Sequence, residues 1–387
     1  MPPERCFDRS WSFHEPWDSE VAATSAPSCI GTFIAACDSP DPAADHGNSP
    51  AHASPSSEDY PLVAILGPTA SAKSALAVFL AERLGGEIIN CDSVQVYQGL
   101  NIGSGKASGD ERRRAPHHLL DVAKPDEVFT AGQYRRLAAE AAQAVRKRGK
   151  LPIVAGGAGL YLRALLEGLF DGPQRSGPVR TRLEYIKQRH GTAFMHRLLA
   201  RLDPETASRI HPHDVQKMVR ALEVCILARE PVSVLQRRGR AGRLAGFSVL
   251  KIGLNPDRAE LYRRINSRVE AMFASGLVEE TRTVQAGRNR PLEALGYRQA
   301  CAVIEGSITP VEAVRAAQAA TRRYAKRQMT WFRREANVRW FPGFGDDLPI
   351  QSQALESLRQ ALGSSPGSAP PVPDQNLLSS STEDPSP

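Results

Sequence analysis

No stretch of the 387-residue chain is apolar over a length that could cross a bilayer as a helix, which argues against a membrane-spanning protein. A basic segment is missing before the one short apolar run near the start, Cys29-Ile30-Gly31-Thr32-Phe33-Ile34-Ala35-Ala36-Cys37. Asp38, Asp41 and Asp45 follow that run, a pattern that fits a secretory signal poorly. Paired metal-ligand spacing is missing too. The six cysteines (Cys6, Cys29, Cys37, Cys91, Cys225, Cys301) are scattered, so the simpler expectation is no zinc site and a reduced, cytoplasmic setting. Apolar residues are scarce at both ends. Residues 1–59 are rich in Pro, Ser, Ala, Asp and His and read as a disordered extension. Residues 346–387 read as a mostly disordered tail, turning to Ser, Pro and Gly from about Ser364.

The chain is 41% hydrophobic, ample for a core, and the most informative segment opens it. Val63-Ala64-Ile65-Leu66 runs straight into Gly67-Pro68-Thr69-Ala70-Ser71-Ala72-Lys73-Ser74. This is a buried strand, a glycine-bearing loop and a Lys-Ser pair opening a helix, complete except that Ala72 stands where the pattern wants a second glycine. Such a loop binds anions: successive backbone N–H groups point inward at the positive end of a helix, and Lys73 adds a full charge. The Ser74 hydroxyl can ligate a magnesium ion held by phosphate oxygens. Ala72 requires a dihedral that alanine tolerates, because its methyl lies where backbone and phosphate come close.

A second strand, Glu87-Ile88-Ile89-Asn90-Cys91, ends at Asp92. In a doubly wound sheet the carboxyl ends of strands form the ligand crevice, so Asp92 is the leading catalytic candidate, with an ordinary turn aspartate or helix N-cap as the competing reading. His117 and His118 could line the site, but a pair of this kind more often packs or caps. The third strand, Leu151-Pro152-Ile153-Val154-Ala155, enters Gly156-Gly157-Ala158-Gly159. No acid follows it to hold a magnesium-bound water, which argues against simple ATP hydrolysis.

The net charge is +7, which makes a polyanionic partner plausible. From about Gln174 to Arg237 the pattern is helical and basic (Arg180, Arg182, Lys187, Arg189, Arg197, Arg201, Arg209). A solvated helical face and a nucleic-acid surface account for it equally well. Further on, Arg323, Lys326, Arg327, Thr330 and Arg334 share one face of a helix, and Tyr324 and Trp331 lie a heptad apart on another. The cations suit phosphates; the aromatics suit core packing better than base stacking. These elements add up to an α/β fold, a P-loop NTPase-like parallel sheet flanked by helices with an all-helical insertion subdomain. The core falls at 60–173 and 238–345, and the insertion at 174–237.

The segments GPTASAKS, CDSVQVYQGLNIGSGK, PHHLLDV, GKLPIVAGGAGLYLRALLEG, QKMVRALEV, ALGYRQ and TRRYAKRQMTWFRR, in that order over roughly Pro61 to Gly343, resemble the tRNA dimethylallyltransferase family. The resemblance implies transfer of a dimethylallyl group from dimethylallyl diphosphate to N6 of the adenosine 3′-adjacent to the anticodon, in tRNAs that read codons starting with U. It implies a cytoplasmic monomer that uses Mg2+. Asp92 would be the general base, and Gly67, Pro68, Thr69, Ala70, Ser71, Ala72, Lys73 and Ser74 would bind the diphosphate, with Arg258 a weaker candidate. Contacts to tRNA would come from Asp92, Ser93, Val94 and Gln95, from Ala158, and from Gln216, Lys217, Met218, Val219 and Arg220. They would continue with Arg298 in ALGYRQ and with Thr321 through Gln328, including Arg323, Lys326 and Arg327, while Tyr97 and Gln95 would shape the pocket. Three positions depart from the family's pattern: Ala72 for glycine, Ala158 for threonine, and Lys217 for arginine, which keeps charge but loses the planar fork. A P-loop small-molecule kinase or NTPase, and a tRNA-binding protein without activity, are the alternatives.

Overall fold

The computed structural model describes residues 59–284 and 290–363, which fall into two compact units, one of residues 172–237 and a larger one from the rest. The sequence-based readings of residues 1–58 and 364–387 lie outside the described residues. In chain order the larger unit runs β1 (Tyr60–Leu66), α1 (Lys73–Leu84), β2 (Gly86–Asn90), α2 (Gly109–Arg114), β3 (His117–His118), α3 (Ala131–Lys147), β4 (Leu151–Ala155), α4 (Gly159–Glu167) and β5 (Leu169–Phe170). The smaller unit follows, with α5 (Gly177–Leu202), α6 (Pro204–Arg209), α7 (Val215–Ala228) and α8 (Val232–Arg237). The larger unit then resumes with β6 (Arg240–Ala241), β7 (Phe247–Leu254), α9 (Arg258–Ala274), α10 (Leu277–Val284) and a 3-10 turn (Arg290–Glu293). It ends with α11 (Tyr297–Ile304), α12 (Pro310–Phe332), β8 (Val338–Phe341) and α13 (Leu348–Gly363).

Six strands form one parallel sheet in the order β3-β2-β4-β1-β7-β8, and β5 pairs with β6 in a small antiparallel ribbon. The period of two in β1 divides its side chains between the sheet's faces. Leu62, Ala64 and Leu66 join a core with Ile89, Tyr134, Ala138, Leu162 and Leu165 from the α3 and α4 side. Val63 and Ile65 join Leu76, Ala77, Leu80, Ile153 and Ile252 on the α1 side. With both faces covered, β1 reads as an unbroken apolar run, and each buried branched side chain contributes about 1.5–3 kcal/mol.

Register fixes the functional end of the sheet. Ile65 pairs with Ala155, and Ala155 with Asn90, so the chain leaves β1, β4 and β2 at one level. The three loops that follow are Gly67–Ala72, Gly156–Ala158 and the turn at Asp92, all at the carboxyl edge where open α/β sheets hold ligands.

Helix α13 corrects the disordered-tail reading for its own residues. Ile350, Ala354 and Leu358 recur at helical spacing and bury against the α1 face of the sheet, so the chain from 348 to 363 orders through an apolar stripe. The smaller unit is all helix. Its α5 packs on α7, burying Leu183, Met195 and Leu199 beside a second set, Met218, Leu222 and Val224. A break at Gly191, with φ 78°, divides α5. Among the described residues no helix is long and apolar enough to cross a membrane.

Candidate active site

The phosphate loop is folded around one carbonyl. Pro68 O accepts from the Ser71 N–H (3.3 Å), the Ser71 hydroxyl (2.8 Å) and the Lys73 ammonium (2.6 Å). Gly67, at φ 150°, leaves no room for a side chain, since a Cβ would lie 3.1 Å from both Leu254 Cβ and Ser71 Oγ. Ala70 and Ala72 sit at φ 62° and 59°, in the left-handed region. Alanine tolerates that dihedral at a cost of roughly 1–2 kcal/mol, because its Cβ crowds the following carbonyl. The strain is held from outside: the Gly345 N–H donates to Ser71 O at 2.9 Å, and a Cβ on Gly345 would overlap Ala72 O. Lys73 and Ser74 open α1, whose first turn carries no acid and no side-chain cap, leaving its amides free for an anion.

Asp92 enters from β2. The Cys91 N–H donates to Ala155 O (2.8 Å), the Ala158 N–H donates to Cys91 O (3.1 Å), and a Cβ on Gly156 would overlap Cys91 O, so the β2 and β4 ends touch. Asp92 is half-buried. Its Oδ1 accepts from the Val94 (2.8 Å) and Gln95 (3.3 Å) N–H groups, which is the turn-aspartate geometry of the competing reading, while Oδ2 has no protein partner among the described residues. One oxygen thus fixes the side chain and leaves the other for chemistry.

Electrostatics ties these groups together. Burial, and then the Arg268 guanidinium, push the Lys73 ammonium down to about 7, with Asp92 pulling the other way. Burial also lowers Arg268 from its ordinary value, against the pull of Asp92 and Glu111. Burial and then Asp92 raise the Tyr324 hydroxyl. Lys73, Arg268 and Tyr324 therefore all lie near enough to feel the charge of Asp92.

Sequence reasoning did not find Arg268. It lies on α9 ten residues beyond Arg258, and its guanidinium rests on Gly105, where a Cβ would overlap it. That glycine was the available signal. Arg258 itself is exposed at the start of α9, its Nε donating to the Tyr262 hydroxyl at 3.1 Å. The Gln95 amide donates to Ser104 O (3.2 Å) and Gly105 O (3.1 Å), so it braces the loop under Arg268. Ser93 is exposed and Val94 half-buried. Tyr97 is buried, its hydroxyl accepting from the Phe129 N–H, and so belongs to the core, not to the pocket. Ala158 starts α4 without a side-chain cap.

The basic stripe of α12 is exposed along Arg323, Lys326, Arg327 and Thr330, while Arg334, expected on the same helix face, is exposed in the turn past the helix end at Phe332. Trp331 packs against the core, with the Arg163 guanidinium 4.5 Å from its ring. In α7, Gln216 and Lys217 are exposed, the latter paired with Asp214 at 2.6 Å. Met218 and Val219 are buried, and Arg220 is bonded to Glu223 (2.8 Å) and Pro173 O (2.9 Å). Within the five-residue block Gln216 and Lys217 lie open and Arg220 is partly exposed beside Glu223, while the helical period turns Met218 and Val219 into the core. Arg298 is exposed on α11, beside a buried Tyr297 whose hydroxyl donates to Glu280 at 2.7 Å. His118 meets the Glu87 carboxylate at 2.7 Å and His117 meets Ala115 O at 2.8 Å, the packing role. Among the described residues no group of three or more His, Cys, Asp or Glu could hold a metal. A cation would fit only with the exposed Ser74 hydroxyl and a substrate's own phosphate oxygens.

Fold and site define the class first: a P-loop NTPase-like α/β protein whose Lys73 loop lies beside a carboxylate and a second half-buried cation, Arg268. The family model described as IPP transferase matches residues 95–335. A tRNA dimethylallyltransferase of Koribacter versatilis (strain Ellin345) is 52% identical over 77% of this chain and 98% of its own length. One of Solibacter usitatus (strain Ellin6076) is 48% identical over 78% and 99%. Among solved structures, the full-length tRNA isopentenylpyrophosphate transferase of Bacillus halodurans superposes with TM-score 0.57 at 35% identity, covering 78% of this chain and 95% of that one. A eukaryotic dimethylallyltransferase acting on tRNA shares the fold at TM-score 0.65 and 22% identity, over 82% and 81%. The chain belongs to the IPP transferase family and is an enzyme of the tRNA-modifying prenyltransferase class.

Proposed function

We propose that the chain moves a dimethylallyl group from dimethylallyl diphosphate to N6 of the adenosine 3′-adjacent to the anticodon, in tRNAs that read codons starting with U. The observation that carries this reading is that the Lys73 loop and the Asp92 turn leave β1 and β2 at one level of the sheet's carboxyl edge, with the Asp92 carboxylate fixed there through one oxygen. The amine nitrogen attacks the allylic carbon, the carbon–oxygen bond breaks, and diphosphate leaves with the electron pair. Asp92 accepts the N6 proton, which limits positive charge on a poor nucleophile. Lys73, Arg268 and the free amides at the start of α1 neutralise charge growing on the departing diphosphate. The Ser74 hydroxyl and the diphosphate oxygens would hold Mg2+, which would supply further charge neutralisation.

The adenine must leave its stack, a smaller cost in an anticodon loop than in a duplex. Arg323, Lys326, Arg327 and Arg298 provide phosphate contacts that hold the loop, and the exposed Gln216 and Lys217 of the smaller unit are separate candidates for contact with the tRNA. The assay is incubation of the purified protein with unmodified tRNA, magnesium and either dimethylallyl diphosphate or ATP, followed by nucleoside mass analysis. N6-isopentenyladenosine is the expected product. Phosphate release from ATP without it would mark a kinase or NTPase, and tight tRNA binding with neither would mark a binding protein.

A further inference from the structure

Gln328 is the one residue of α12 whose side chain spans two loops of the site. It is only 5% exposed. Its Oε1 accepts from the Thr69 N–H at 2.8 Å and its Nε2 donates to Gly157 O at 2.9 Å. The fit is close, since a Cβ on Gly157 would overlap Nε2. We propose that Gln328 is a positioning residue: from α12 it fixes the phosphate loop to the β4–α4 loop and so shapes the diphosphate cradle, and it does not bind tRNA.

The argument starts from strain. Ala70 and Ala72 hold left-handed dihedrals that persist only where the surroundings over-determine them. Thr69, the residue before Ala70, is pinned by Gln328, and Ser71, between the two alanines, is pinned by the Gly345 N–H. A planar amide with both ends satisfied also sets the spacing between β1's exit and β4's exit. Thr69 N–H is thereby kept out of the set of amides that face an anion. The neighbours of Gln328 on α12, Lys326 and Arg327, are exposed and point the other way, so the helix divides its labour: cations outward, Gln328 and Tyr324 inward. This deepens the prenyl-transfer reading and rests on it for its kinetic readout.

The test uses the full chain as wild type, Gln328→Leu and Gln328→Glu. Hydrogen exchange of the peptide spanning residues 67–73 is measured without substrates, the KM for dimethylallyl diphosphate and kcat at saturating tRNA, and tRNA affinity by filter binding. In Gln328→Leu the Thr69 amide should exchange about tenfold faster and the donor KM rise about tenfold, as for a buried hydrogen-bonding group left unpaired, with kcat and tRNA affinity within about threefold. In Gln328→Glu a protonated carboxyl can accept from Thr69 N–H and donate to Gly157 O, so its KM should approach wild type as pH falls from 8 to 5.5, while the Leu variant's ratio stays flat. Wild-type exchange and donor KM in Gln328→Leu overturn the proposal, as does a loss that falls on tRNA affinity. If the Leu variant does not fold, a pH-independent ratio in Gln328→Glu overturns it. Should the wild type fail to prenylate tRNA, the functional reading fails, and the exchange comparison still decides the role of Gln328.

Discussion

Two groups of cations, one in each unit, are treated in opposite ways. In the helical unit one group is matched: the buried Glu223 carboxylate accepts from Arg180 (2.8 and 2.9 Å), Arg220 (2.8 Å) and the Ser176 N–H (2.9 Å). Burial alone would raise Glu223, but these bonds outweigh it and hold the carboxyl at about 2. Arg209 pairs with Glu205, and Lys187 with Glu184. In the α/β unit, neither Lys73 nor Arg268 forms an ion pair with a carboxylate among the described residues, and burial depresses both. A satisfied cluster is architecture. Buried cations without a matching anion mark a place that completes itself when a ligand arrives.

The largest expected effect breaks the architectural side. Glu223→Ala leaves Arg180, Arg220 and an amide unpaired and should cost about 3–5 kcal/mol, seen by chemical denaturation. The sign with pH follows from the lowered carboxyl: its stabilisation is fully present above the ordinary carboxylate value of 4.5 and is lost as pH falls towards 2, an acid limb that the alanine variant should lack. Next, Asp92→Ala should lower kcat by about a hundredfold or more while tRNA affinity stays near wild type; unchanged turnover would remove Asp92 as the base.

The ligand side can be sharpened by pH. With Lys73 near 7, diphosphate meets a charged ammonium below that pH and must bring in a proton above it. The donor KM should therefore rise by up to about tenfold per pH unit from 7 to 9, and Lys73→Arg should flatten the slope. For folding the same group runs the other way: between 7 and 10.5 the unfolded chain holds a proton that the folded chain has lost, so stability rises with pH across that window. Arg323→Ala with Arg327→Ala should lower the salt slope of tRNA binding by about 2, and an unaltered slope would show that this face points elsewhere. The smallest effect is Ala72→Gly, which relieves the left-handed strain and should raise stability by about 1 kcal/mol or less, read as a higher Tm.

Local signals were legible in the chain itself. The apolar tetrad ending at Leu66 and the loop that follows place a strand and a helix start, and the period of α12 places the exposed Arg323, Lys326, Arg327 and Thr330 on one face. What stayed hidden depends on partners far along the chain. Arg258, Arg263, Arg264 and Arg268 share α9, and nothing in their spacing tells which one turns inward; Gly105, more than 160 residues earlier, makes the room. Gln328 looks like one more polar residue in a basic helix until Thr69 and Gly157 are brought to it. The left-handed angle at Ala72 is set by the segment around Gly345 and is invisible in the eight residues of the loop. In α7 the motif was visible but its depth was not, so buried Met218 and Val219 were grouped with their exposed neighbours.

The hydrogen bond from Gly345 to Ser71 has a practical corollary for anyone trimming the gene. A fragment that stops at residue 335, where the family match ends, would retain every recognisable motif and both cradle cations. It would nonetheless lose the wedge that props the anion cradle from below, together with the α13 side chains packed behind α1. Such a fragment also loses the edge strand β8 and the buried Phe341 and Phe344, so it should be less stable and grip its pyrophosphate donor poorly, and extending it through residue 363 should restore both.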